Sequence, residues 1–253
     1  MGPRAVTGFK DHFSERAAAY AAHRPVYPRA LVDFLADVAP GRDLAWDGGC
    51  GSGQLSVLLA DRFARVIATD ASAEQIAQAA PHPKVGYRCA PAETSGLPNG
   101  AVDLAVAAQA VHWFDLARYY AEVRRVARPA GVLALVTYGL VQVDDDAAPL
   151  VQHFFSAVLG PYWPPERRYV DDGYRSLPFP FEEITAPPLE IRAEWTLANF
   201  VGYVETVSAV RALERALGPA PLAEFRRELA GAWGPEGTAR PVRWPLALRV
   251  GRV

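Results

Sequence analysis

The sequence predicts a doubly wound α/β fold, a mostly parallel sheet with helices on both faces. Three observations predict it. Between residues 43 and 138 short apolar runs alternate with segments of helical period. The first run ends in an acid, Asp47, and passes through Gly49, Gly51 and Gly53 straight into a helical pattern. The fourth run, residues 102–108, is apolar at nearly every position, as in a strand covered on both faces.

Taken in order, residues 9–22 form a helix-like prelude that Arg24-Pro-Val-Tyr-Pro28 ends, and residues 30–38 read as a second helix. Strands follow at 44–47, 66–70, 84–88, 102–108 and 132–138. Helices are expected at 53–62, 72–79 (with Ser72 as cap) and 115–127, and a turn at Pro129 and Gly131. Residues 140–181 are rich in proline and aromatics and too long for a plain connection, the mark of a functional lid. A strand at 189–195, helices at 198–217 and 221–232, and a last strand at 242–250 close the chain. These make seven strands of a Rossmann-like sheet with an inserted helical and loop cap.

The chain has 253 residues, 51% of them apolar, which is enough for a sizeable core and argues against disorder. Its net charge is −2 with both signs interspersed, so no basic arm or stripe points to nucleic acid. Two cysteines, Cys50 and Cys89, without a CxxC indicate neither a disulfide framework nor a metal site. There is no basic-then-apolar leader and no apolar run of spanning length, so a cytoplasmic protein without a membrane partner is expected, monomeric or homodimeric.

The glycine turn excludes several chemistries. Aligned on Gly49 and Gly51, a nicotinamide fingerprint needs glycine or alanine at position 54, which is Gln54; aligned on Gly51 and Gly53 it meets Ser56. No lysine completes a phosphate loop, and Cys50 and Gln54 stand where a nucleophile elbow around Ser52 needs glycines. Asp70 ends the second strand about 20 residues on, where a carboxylate accepts ribose hydroxyls; by itself it reads equally as a helix cap. Asp47 would repel a pyrophosphate and suits a ligand with positive charge, an ammonium or sulfonium.

Asp47–Gly53, Asp70 and Ala92-Glu-Thr-Ser-Gly-Leu-Pro98 resemble the motif series of class I S-adenosylmethionine-dependent methyltransferases. Gln109-Ala-Val-His-Trp-Phe-Asp115, residues 13–20 and Arg24–Pro28 resemble the trans-aconitate methyltransferase-like subgroup, with its type 11 methyltransferase domain. The resemblance implies S-adenosylmethionine as cofactor and methyl transfer to a small molecule, a carboxylate or a hydroxyl, by in-line displacement and mainly through positioning. It implies a cofactor-binding domain of residues 1–139 with 182–253 and a substrate-binding cap at 140–181. The backbone at Gly49, Cys50, Gly51 and Gly53 would run along the methionine and ribose, with Asp47 near the amino-acid moiety. Asp70 would take the ribose hydroxyls, with Ala71, Ala92 and Glu93 around the adenine. The family often has an acid where this chain has Pro91, so Glu93 reads as either an adenine neighbour or a structural group. Gln109 and Ala110 would line the sulfonium site. Tyr20 and Arg24 read either as closing over the cofactor, with Arg24 on its carboxylate, or as a surface helix end before a proline turn.

His112 has two readings, a base for a hydroxyl, thiol or amine acceptor or a pocket wall beside Trp113. Tyr162, Trp163, Arg167 and Arg168 are candidate acceptor contacts, although arginine beside aromatics is also ordinary surface packing. His153 and Cys89 read as packing residues, and Trp195 and Trp244 as core or cap. Two alternatives stay open: a nicotinamide-dependent oxidoreductase, and a cofactor-binding protein without turnover.

Overall fold

A computed structural model describes residues 25–253. The prelude at 9–22, Tyr20 and Arg24 lie outside the described residues. The elements are α1 (Arg29–Val38), β1 (Leu44–Gly48), α2 (Gln54–Leu59), β2 (Arg65–Asp70), α3 (Ala73–Ala77), β3 (Val85–Cys89), β4 (Val102–Ala108), α4 (Leu116–Val126) and β5 (Ala127–Tyr138). There follow β6 (Gln142–Val143), α5 (Ala147–His153), α6 (Arg167–Asp171), β7 (Glu182–Ile184), β8 (Glu190–Trp195), α7 (Leu197–Thr206), α8 (Ser208–Leu217), α9 (Ala220–Trp233) and β9 (Arg240–Arg252).

Five parallel strands in the order β3-β2-β1-β4-β5 are extended by antiparallel β9. On β9, β5 and β6 follow one another along one edge, β7 and β8 along the other. Among the described residues nine segments therefore fill seven positions; seven of them are the predicted strands, and β6 and β7 are short additions paired with β9. The strand order reverses between β1 and β4, where an open α/β sheet leaves a crevice at the carboxyl ends of its strands.

Alternation along the strands divides the core. Ala45, Val66, Leu104 and Val132 face Leu31, Leu35, Leu55 and Leu59 of α1 and α2. Trp46, Ile67, Ala105 and Leu133 face Tyr119, Tyr120, Val123 and Val126 of α4. Leu31 and Leu35 are fully buried, and such burial contributes about 1.5–3 kcal/mol per side chain. The amphipathic stripe, more than α1's unsatisfied N-cap at Pro28, thus holds that helix.

Three local expectations are corrected. The turn at Pro129 and Gly131 is absorbed into β5, which starts at Ala127 directly after α4; Ala130 takes a left-handed φ of 60° and the register to β4 shifts between Val102 and Leu104. The helix expected at 198–217 is two helices, because Val207 is extended. The Thr206 hydroxyl donates to the Tyr203 carbonyl at 2.6 Å and so competes with the helix ladder there. The helical turns of residues 140–181, expected as a helical and loop insertion, share the main core, with Phe154 stacked on Phe225 of α9 at 3.9 Å. His153 and Cys89, read as packing residues, are both exposed.

Candidate active site

The C-terminal ends of β1, β2 and β4 open into a chamber of about 490 Å³, within the roughly 300–1,000 Å³ typical of small-molecule sites. Gly49 and Cys50 both donate their amides to the Thr69 carbonyl, at 2.7 and 3.0 Å, which folds the turn back over β2. The three glycines of the turn have different causes. A Cβ on Gly49 would lie 2.6 Å from Cβ of Ala110, and one on Gly53 would lie 2.5 Å from the Tyr87 hydroxyl, so the protein's own packing demands both. At Gly51 (φ 56°) the nearest atom to such a Cβ is Gln75 Oε1, at 3.7 Å. Only there does the missing side chain leave open a wall of the chamber; Gly53 does not line it.

Asp47 is 1% exposed at the tip of β1. Its Oδ2 accepts a 2.6 Å bond from Ser56, and its Oδ1 has no partner among the described residues. Burial, only partly offset by Ser56 and reinforced by Asp70, pushes its pKa up to about 7. Asp70 accepts from the Gly51 amide and, at the start of α3, from the Ser72 amide, both at 2.8 Å. The true side-chain cap of α3 is Ser72, which accepts from Gln75 N. Ala71, Ala92 and Glu93 line the same chamber, and Glu93 also accepts from the Asp115 amide at 2.8 Å. Burial raises the Cys50 thiol far above its ordinary range, so Cys50 stays protonated.

At the end of β4 the chain turns sharply, and Gln109 takes φ 54°. Its amide nitrogen donates to the Tyr138 carbonyl at 2.9 Å, and its amide oxygen accepts from Thr137 at 2.8 Å. His112 follows in a short 3₁₀ turn (Val111–Trp113) and meets Tyr174 through Nδ1 at 2.8 Å. Burial first, then Arg167, pull the His112 pKa down to about 4, against the opposing pull of Glu166.

Gln109, His112 and Trp113 also line a second chamber of about 150 Å³. Its other walls come from distant segments, with Tyr138 at the end of β5, Trp163 and Arg167 from 140–181, and Tyr203, Thr206 and Ser208 at the break between α7 and α8. Arg167 stacks over Trp163 at 4.4 Å and donates Nε to Asp171 at 2.7 Å, while its buried Nη2 has no hydrogen-bond partner among the described residues. A buried donor left unpaired costs about 1–3 kcal/mol.

The structure therefore brings Asp47, Gly49, Cys50, Gly51, Asp70, Ala71, Ala92, Glu93, Gln109, Ala110, His112 and Trp113 to the first chamber and Trp163 and Arg167 to the second. It brings neither Tyr162 nor Arg168 to either chamber; Arg168 is exposed and stacks over its half-buried neighbour Tyr169. Trp244 is fully buried and donates to Tyr203. Sequence reasoning missed Ser56, Thr137, Tyr174 and the break at Val207. Ser56 carried a faint signal, a polar residue on the buried face of α2.

A family model described as "Methyltransferase domain" matches residues 46–135. A Dictyostelium discoideum protein provisionally named as a methyltransferase is 35% identical over 231 residues, 90% of this chain and 88% of that one. A Saccharomyces cerevisiae protein provisionally named as an S-adenosylmethionine-dependent methyltransferase is 30% identical over 124 residues, 46% of this chain and 43% of that one. A solved structure from Anaeromyxobacter dehalogenans, provisionally described as a type II methyltransferase, superposes with a TM-score of 0.87 at 53% identity and covers 90% of this chain and 97% of that one. With this likeness over almost its whole length, the chain belongs to the methyltransferases, enzymes of the class I S-adenosylmethionine-dependent fold.

Proposed function

We propose that the protein methylates an oxygen of a small molecule, with S-adenosylmethionine in the larger chamber and the acceptor in the smaller one. The observation that carries this reading is that the two chambers share one wall, Gln109, His112 and Trp113. The residues fit the cofactor's chemistry. Asp47 Oδ1 is a buried acceptor without a partner among the described residues, Gly51 leaves backbone bare, and Asp70 stands at the tip of β2. When bound, the cofactor supplies a methyl group activated by a sulfonium; the chain's part is to hold the acceptor in line and exclude water.

Asp47 counters the positive charge of the amino-acid end, and Asp70 takes the ribose hydroxyls. Residues 140–181 supply the acceptor's wall, and the 150 Å³ of the smaller chamber suits a group of about the size of a benzene ring. Arg167 Nη2 favours an acceptor with an anionic or carbonyl oxygen. The cofactor alternative has a direct test. Calorimetry should show saturable heat with S-adenosylmethionine and none with NAD, and a panel of small hydroxylated and carboxylated compounds should release S-adenosylhomocysteine with at least one member. Binding of NAD in its place would overturn the reading of the larger chamber, and turnover only on macromolecules would overturn that of the smaller.

A further inference from the structure

The charged groups that line the larger chamber are of one sign. Asp47, Asp70, Glu93 and Glu166 bring carboxyl groups to it, and among the described residues no lysine or arginine joins them. His112 is neutral at pH 7, its pKa pulled down to about 4 by burial and by Arg167. Three of the carboxyl groups are engaged by the protein itself. Asp70 accepts from the Gly51 and Ser72 amides, Glu93 from the Asp115 amide, and one oxygen of Asp47 from Ser56. Glu166 is different. It directly precedes α6, yet its side chain does not cap that helix, and its carboxylate takes part in no hydrogen bond or ion pair among the described residues. The adjacent Arg167 does not neutralise it, because that guanidinium lies over Trp163 and donates to Asp171, on the side of the smaller chamber.

The position of Glu166 is also particular. It is the only residue of the 140–181 segment in the wall of the larger chamber, whereas Trp163, Pro164 and Arg167, on either side of it in sequence, line the smaller one. The segment therefore touches the larger chamber only where the two chambers meet. Two successive residues of opposite charge face two different chambers. His112, in the shared wall, lies in the field of both: Arg167 lowers its pKa and Glu166 raises it.

We propose that Glu166 is a specificity-determining residue that distinguishes the cofactor from its product, its carboxylate standing beside the sulfonium and so holding S-adenosylmethionine in preference to S-adenosylhomocysteine. This rests on the two-chamber reading above, in which the methyl group lies at the seam between the chambers and the sulfur next to it. The two molecules share their amino acid, ribose and adenine, so Asp47, Asp70 and the glycine turn bind both. They differ at sulfur, by a methyl group and a positive charge. Methyl transfer leaves the carbon–sulfur bonding pair on sulfur, and the attraction to Glu166 vanishes with the charge. The carboxylate that favours entry of the cofactor thus has nothing to hold once transfer is complete, and exchange of product for fresh cofactor is favoured.

The test compares two ligands on the full chain. By calorimetry, Glu166→Gln should weaken S-adenosylmethionine roughly 3- to 10-fold, the effect of one partly screened charge pair, and leave S-adenosylhomocysteine within about twofold of wild type. An analogue with a protonated amine in place of the sulfonium should lose as much as the cofactor. Glu166→Asp, which keeps the charge, should retain most of the preference. The Gln variant has no capping bond to lose, and its melting temperature should match that of wild type. Equal losses for both ligands would put the carboxylate on their common part or in the fold, and no change for either would put its charge away from the sulfur; both results overturn the proposal. A wild type that binds neither ligand would overturn the reading of the larger chamber along with it. A wild type that binds both, with a ratio unmoved in Glu166→Gln, removes this inference alone.

Discussion

The two chambers share a wall but were built in different ways. The larger takes most of its lining from consecutive residues at three strand ends, 47–55, 70–75 and 108–114. The smaller takes its lining from points scattered between residues 109 and 208, on a strand end, a helical insertion and a helix break. The first is written in local sequence, because a strand tip and the turn after it fix backbone direction within a few residues. The second exists only after β5, the 140–181 segment and α7 have packed against one another. Substitutions in the turn should therefore separate fold from ligand. Gly49→Val should cost stability, roughly 3 kcal/mol or more from the clash with Ala110 and Phe114 together with the left-handed backbone. Gly51→Ala meets no protein atom closer than 3.7 Å; it should cost only about 1–2 kcal/mol of stability and yet weaken S-adenosylmethionine roughly 10- to 100-fold. Thermal melts and calorimetry on the two variants check this, and equal affinity in Gly51→Ala and wild type would remove that glycine from the cradle.

The same contrast explains what the sequence could say. Strand–helix alternation and the buried run at 102–108 were legible, and so was the acid at each of two strand tips, since each is a pattern within one element. The turn's glycines were legible as a group but not by cause. Gly53 answers to Tyr87 on β3, a neighbour that the sequence alone does not supply. Arg167 and Arg168 are adjacent and chemically alike; the rotation of one short helix decides that the first reaches a chamber and the second the face of a neighbouring tyrosine. Tyr174 was only one aromatic among several until its hydroxyl met His112.

The chambers also hold two titratable groups, buried Asp47 in the larger and half-buried His112 in the shared wall, and the two oppose one another. Asp47 has its pKa raised to about 7. Between an unfolded value near 4 and that folded value the native state holds an extra proton, so stability falls as pH rises. His112 has its pKa lowered to about 4. Between that value and about 6.5 the unfolded state holds the extra proton, so stability rises with pH. Each slope is about 1.4 kcal/mol per pH unit at most, and from about pH 4 to 6.5 they cancel. Asp47→Asn should expose a stability that climbs with pH in this window, and His112→Asn one that declines. Parallel curves for the two variants in denaturant titrations would refute the assignment. The Asp47 proton has a second consequence. A cationic ligand binds best beside the ionised carboxylate, so S-adenosylmethionine affinity should rise with pH through about 7 in wild type and lose that dependence in Asp47→Asn.

The smallest expected effect concerns the smaller chamber alone. Arg167 has its Nη2 buried and unpartnered among the described residues, its Nε on Asp171 and its plane over Trp163. Methionine at this position keeps the apolar stem against Trp163 and removes the unsatisfied donor. The loss of the stacked cation costs about 0.5–1 kcal/mol, and the removal of an uncompensated buried N–H returns about as much, so Arg167→Met should melt within a degree or two of wild type. An acceptor whose anion sits on Nη2 loses a charge-assisted bond of about 1.5–3 kcal/mol, which raises its KM roughly 10- to 100-fold, while the cofactor's dissociation constant stays the same. The neutral amide or methyl ester of the same acceptor should show a much smaller difference between the two proteins. A KM that rises equally for charged and neutral acceptors would mean that Arg167 shapes the chamber through Trp163 and binds no anion.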